Sequence, residues 1–382
     1  VVDVHVHVGA GAARASMGRR FSFEPRADDG DKAPARMIYD SYLAPRLLRR
    51  WGHKLLQGLL GIPLYLRGAE LDRAYLKTAM DHIRGASGVD RVVALAFDEY
   101  HTDQGTALGP VDSRRALGTD MYVSNTFVHG LCLREPNKFL FGASIHPYRR
   151  RGSLSASDML DEVAAAGAVL VKWLPLVQNI RPDDERTVAF LRRAGELQMP
   201  LLIHYGGERA LPTNHVELAD PGPMLATLSR LRAEGKMPPV IVAHCATPSS
   251  WPFNPLNYYP VLVQAWLGEL ADAPLYADTA AMGLFTRARW LKRLARKPEL
   301  QAKLVHGSDF PIPVNPVFFL RQLGHRVARL QRISSWIEQD YQLKLALGLD
   351  RAVMTRGWDI IRRGLIHRAP LTALRDGPHS NH

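Results

Sequence analysis

Short apolar runs alternate with stripes of apolar residues at helical spacing along most of the chain. The runs cover residues 1–8, 91–97, 139–146, 168–174, 201–205, 240–245, 274–279 and 303–309. Each has strand length and is rich in valine, leucine or isoleucine. Between them lie segments such as "LDRAYLKTAMDHIRG", "ASDMLDEVAAAG", "DERTVAFLRRAGELQ" and "PGPMLATLSRLRAEG", several of which end in glycine, a common helix stop. Strands alternating with helices predict a parallel sheet covered on its faces, and eight repeats favour closure into a (β/α)8 barrel.

Residues 10–70 break the rhythm. A polar stretch, "RFSFEPRADDGDKAPAR", leads into "MIYDSYLAPRLLRRWGHKLLQGLLGIPLYLRG". A connection this long after the first strand should carry structure of its own. It is read as a helical insert, serving as lid, pocket wall or oligomer contact. From residue 335, "SSWIEQDYQLKLALG" and "RAVMTRGWDIIRRGLI" predict closing helices, and "DGPHSNH" a frayed end. The whole is read as one barrel domain over residues 1–382.

The competing fold is an open doubly wound sheet with a dinucleotide site, suggested by "GAGAAR" after the first strand. Gly9 and Gly11 begin the motif, but Arg14 stands where the third glycine belongs, and no clean helix follows.

At 382 residues, 46% hydrophobic and 23% charged, the chain has the composition of a globular protein with a sizeable core. No apolar run is long enough for a membrane span. The net charge of +12 comes mostly from scattered arginines, without a zinc-finger or helix-turn-helix pattern, so nucleic-acid binding is not expected. Two cysteines, Cys132 and Cys245, argue against a disulfide framework and fit a cytoplasmic setting. The chain opens on a strand without a methionine, which is compatible with a removed leader.

Barrel enzymes carry their chemistry at the C-terminal ends of the strands. In "VVDVHVHV", alternation places Asp3, His5 and His7 on one face and Val4, Val6 and Val8 on the other. The fourth run ends near Lys172, the fifth at His204, the sixth at His244 and the eighth at Asp309. Taken singly, each could be a satisfied core group, a turn or a cap. Together they put six candidates at one rim, and imidazole nitrogen and carboxylate oxygen are ligands for zinc and similar divalent ions.

This set resembles the amidohydrolase superfamily, and "HGSDFP" is similar to an element of its amidohydrolase-related branch, which includes aminocarboxymuconate semialdehyde decarboxylase-like enzymes. The resemblance covers residues 1–8 and 70–330 and leaves the insert out. It implies that His5, His7 and Asp309 hold one metal. In binuclear members a carboxylated lysine, here Lys172, bridges two ions, and His204 and His244 hold the second. In mononuclear members the His204 position joins the first metal and the His244 position polarises or transfers protons. The implied reaction is attack of metal-activated water on an amide, lactone or ester carbonyl, with Asp309 as base. The alternative is nonoxidative decarboxylation of an aromatic or muconate-type acid.

Weaker candidates complete the rim. Asp98, Glu99, His146 and Asp278 are read as supporting partners or substrate contacts. Tyr205, Trp173 and Trp251 could line a pocket, Arg149 to Arg151 form a solvated loop or meet an anion, and Cys245 points away from the site. The expected partner is a small molecule, with a homo-oligomer as a further reading.

Overall fold

The computed structural model describes residues 1–9, 11, 41–111, 117–208, 210–249 and 256–373. Residues 10 and 12–40 of the insert, Trp251 and the final "DGPHSNH" lie outside these residues. Ten strands are described: β1 (Val2–Val6), β2 (Ser41–Leu43), β3 (Arg91–Leu95), β4 (Met121–Val123), β5 (Phe139–Ala143), β6 (Leu170–Trp173), β7 (Leu201–His204), β8 (Val240–Ala243), β9 (Leu275–Asp278) and β10 (Leu304–Val305).

Eight of them form one sheet in the order β1-β3-β5-β6-β7-β8-β9-β10, every pairing parallel. The two edges meet: Val4 N donates to His306 O, Asp309 N to His5 O and His7 N to Phe310 O. The molecule is therefore a (β/α)8 barrel, and all eight strands fall where the apolar runs predict them. The last run is shorter than expected. β10 stops at Val305: the His306 amide turns to Val353 O, and Asp309 further on adopts φ +63°, outside the strand region, although the segment still bonds along β1.

Helices Gly68–Arg84, Ala156–Ala165, Glu185–Glu196, Gly222–Ala233 and Trp336–Ala346 pack around the barrel, and Arg351–Ala373 runs behind β1 and β10. Lys172 shares a strand face with Leu170, and His204 with Leu202, two residues behind. Leu170 and Leu202 join Val93, Leu95, Ile241 and Val305 in one fully buried cluster. Beneath the polar rim, then, lies an apolar floor.

The described end of the insert is not wholly helical. Short helices Pro45–Leu48 and Trp51–Leu59 follow β2, and β2 pairs antiparallel with β4, a ribbon that no long alternating pattern announces. Phe97 and Val123 exchange both backbone hydrogen bonds, tying the ribbon to the chain leaving β3. The glycines of "GAGAAR" serve this junction. A Cβ on Gly9 would stand 2.2 Å from Val123 Cγ2, and one on Gly11 2.5 Å from the Tyr42 nitrogen, so only glycine allows the approach.

Candidate active site

His5 and Asp309 meet where the barrel closes. His5 Nε2 and His7 Nε2 each lie 3.3 Å from the same oxygen, Asp309 Oδ1. Lys172 Nζ is 3.2 Å from His5 Nε2, and His244 Nε2 is 3.7 Å from Asp309 Oδ2. His204 completes the ring, its imidazole edge-on to that of His244 with centroids 5.1 Å apart. All six side chains line one cavity of about 960 Å³ at the C-terminal ends of the strands.

Two backbone devices aim the later members of the set. His244, Cys245 and Ala246 run consecutively at φ +53°, +51° and +52°, a left-handed turn that ordinary residues adopt only when the surroundings impose it. It turns the chain sharply after β8. Gly206 at φ +88° passes beneath this turn, where an added Cβ would lie 2.9 Å from Ala246 O, so the two loops interlock. Cys245 follows the same turn, and its Sγ contacts Asp278 O rather than the cavity.

Asp278, at the end of β9, fixes the His5 imidazole and the His244 backbone. Its Oδ2 accepts from His5 Nδ1 at 2.7 Å, and its Oδ1 accepts from the His244 backbone N at 2.7 Å. His244 Nδ1 in turn donates to Ala280 O at 2.9 Å. With their protons on Nδ1, both rings turn bare Nε2 lone pairs toward Asp309.

Burial holds His5, His204 and His244 far below the usual histidine range, and the charges of Lys172 and Arg287 push the same way. They are neutral imidazoles at ordinary pH. Burial would raise Asp309, but His5, His7 and Lys172 outweigh it and keep the carboxyl below its usual range. Burial lowers Lys172 to about 8 against the pull of Asp278, Asp309 and Glu208.

This donor set fits a divalent cation. Neutral imidazoles and an ionised carboxylate are the required ligand forms, and ligand atoms of His5, His7 and Asp309 lie within 4.8 Å of one another. His204 Nε2 is buried and has no hydrogen-bond partner among the described residues, its nearest carboxylate being Glu208 Oε2 at 3.6 Å. A second group, His5, His244 and Asp278, meets the same distance limit, but there Asp278 is already engaged in orienting its neighbours.

Other rim residues take different places. Asp98 and Glu99 do not face the site: Arg149 Nε donates to Asp98 at 2.9 Å, and Arg149 Nη2 to Glu99 at 2.6 Å. Arg149 is thus held, half-buried, between two buried carboxylates and not in a solvated loop. His146 stacks on His101 with centroids 4.1 Å apart and bonds the Gln178 carbonyl. Trp173 packs on Phe190 and donates to Ile145 O, so it serves the core. Tyr205 is buried outside the cavity lining.

Three cavity residues were not singled out by pattern. Tyr75, on the first long helix, donates its hydroxyl to His7 O at 2.9 Å. Glu208 stands four residues beyond His204 in "HYGGE", close enough to a strand end to have been sought there. Arg287 follows β9 by nine residues, and nothing in its spacing marks it.

A barrel with this cluster at its mouth defines a class of enzymes, and sequence comparison gives the family. The amidohydrolase model matches residues 90–319, well over half of the chain, and the protein belongs to that family. No curated protein matches. Among solved structures, the chain is similar to an uncharacterized TIM-barrel protein from Bordetella bronchiseptica (14% identity, 91% of this chain and 99% of that one, TM-score 0.51), which has the same fold. Further likenesses are to a probable 2-pyrone-4,6-dicarboxylic acid hydrolase from Acinetobacter baumannii with citric acid bound (13% identity, 94% and 98%, TM-score 0.46) and a 5-carboxyvanillate decarboxylase from Novosphingobium aromaticivorans with bound manganese (12% identity, 92% and 95%, TM-score 0.42). Among the described residues no helix is long and apolar enough to cross a membrane.

Proposed function

We propose that this chain is a metal-dependent hydrolase that opens an amide, lactone or ester with an activated water. The observation that carries the reading is the convergence of His5, His7, Lys172, His204, His244 and Asp309 on one point of the cavity. His5, His7 and Asp309 would hold a divalent ion, zinc for preference. Lys172, carboxylated, with His204 and His244 would hold a second. A bound ion supplies the acidification that makes water a nucleophile near neutral pH.

The residues themselves do the rest. Asp309, kept ionised, takes the proton of the attacking water and passes it to the leaving group. His244, its Nδ1 held by Ala280 O, presents its bare Nε2 to the cavity as the lone pair that the second ion would take. Asp278 keeps the His5 ring from rotating and holds the His244 backbone, whose ring Ala280 O fixes. The apolar walls limit water around the reacting bond.

The same reading treats residues 1–382 as a single catalytic domain acting in the cytoplasm on a small molecule, with the 10–70 insert walling the pocket. A screen of esters, lactones and amides with metal-replete protein, read by acid release, tests it. Acid release that chelation abolishes is the expected result. Carbon dioxide release from aryl acids without any hydrolysis would move the assignment to decarboxylation.

A further inference from the structure

Among the described residues, one cavity cation has buried donors without a partner. Arg287 sits at the foot of helix Ala288–Leu294, is 5% exposed, and lines the cavity beside His5, His204, His244 and Asp309. Its Nε and Nη2 are buried and make no hydrogen bond among the described residues, and no described carboxylate lies within ion-pair distance. A buried guanidinium left so is costly, because its charge and donors lose water without replacement. Burial accordingly depresses it, with Glu208, Asp309 and Asp278 opposing only at longer range. The planar fork of arginine suits a two-oxygen anion.

The insert and the helix after it give the cavity a leucine-rich wall: Leu48, Leu56, Leu60, Ile62 and Leu71 line it, with Arg49, Lys54 and Arg67 among them. At about 960 Å³ the cavity is near the top of the range for small-molecule sites, roughly 300–1,000 Å³. A buried guanidinium and a leucine-rich wall in one cavity select a molecule that carries an anionic group on an apolar body.

We infer that Arg287 is a specificity-determining residue that pairs with a carboxylate of the substrate, whose apolar body, larger than a single ring, lies against the leucine wall. This rests on the hydrolase reading for the position of the reacting bond but not for the binding itself.

Calorimetric titration of the full chain with 4-phenylbutanoate, 4-phenylbutanol and benzoate tests it, before and after chelation. The wild type should bind 4-phenylbutanoate at least tenfold more tightly than either of the others. Arg287→Met should lose that acid preference while still binding the alcohol, which reports an intact cavity. Should that variant not fold, Arg287→Lys should show a reduced preference, since it keeps the charge and loses the fork. Equal binding of acid and alcohol by the wild type, or an acid preference unchanged in the variant, overturns the assignment. An Arg287-dependent preference that survives chelation in a protein showing no hydrolysis would sustain this inference while removing the hydrolase.

Discussion

Asp278 accepts the Nδ1 proton of His5 at 2.7 Å, across 273 residues of sequence. A second oxygen of the same carboxylate receives the His244 backbone N. One side chain at the end of β9 thereby sets the ring orientation of a proposed metal ligand and the path of the turn that carries another.

Asp278→Asn should therefore weaken metal binding without removing any ligand. An amide can offer its NH2 to His5 and drive the ring toward the other tautomer, which puts a proton on Nε2. Loss of about 10–100-fold in affinity is expected, measured by chelator competition, with circular dichroism unchanged. Wild-type affinity would remove the orienting role.

Asp309→Asn separates chemistry from binding. The carboxylate is held below its usual range by His5, His7 and Lys172, so it is available as a base throughout the neutral range. Turnover should fall by about 100-fold or more, while affinity for an unreactive ligand such as 4-phenylbutanoate changes little. Near-normal kcat would exclude the proton-transfer role.

A separate prediction concerns acid stability. Burial, with Arg149, lowers His101 to about 4 from an ordinary 6.5. The unfolded chain therefore binds a proton between pH 6.5 and 4 that the folded chain refuses, and stability falls as pH drops through that window. The group contributes about 3 kcal/mol at its limit. Urea unfolding of chelator-treated protein should show His101→Gln losing less stability between pH 7 and pH 4.5 than the wild type. Equal losses would show that His101 does not titrate in that window.

How far the sequence carried this account depends on what kind of signal each feature leaves. Strands and their ends are local: valine runs, alternation and a polar residue at the terminus located all eight strands and brought His5, His7, Lys172, His204, His244 and Asp309 to one rim. The β2–β4 ribbon was not legible, because three-residue strands leave no period to read. Arg149 was misread for a related reason. Its partners Asp98 and Glu99 lie on another strand's loop, and only the folded barrel brings the three together. Asp278 was visible as a strand end, but its hold on the His244 backbone depends on a left-handed turn no motif announces. Arg287 belongs to a loop, where spacing has no rule.

The central claim is that these side chains cage a divalent cation, and elemental analysis of the purified, metal-replete protein addresses it most directly. The account predicts one or two equivalents of a divalent metal per chain, with zinc foremost, and loss of that metal in folded His5→Ala and His7→Ala variants. A folded wild-type protein that takes up no stoichiometric divalent metal, or variants that retain the full complement, would contradict it.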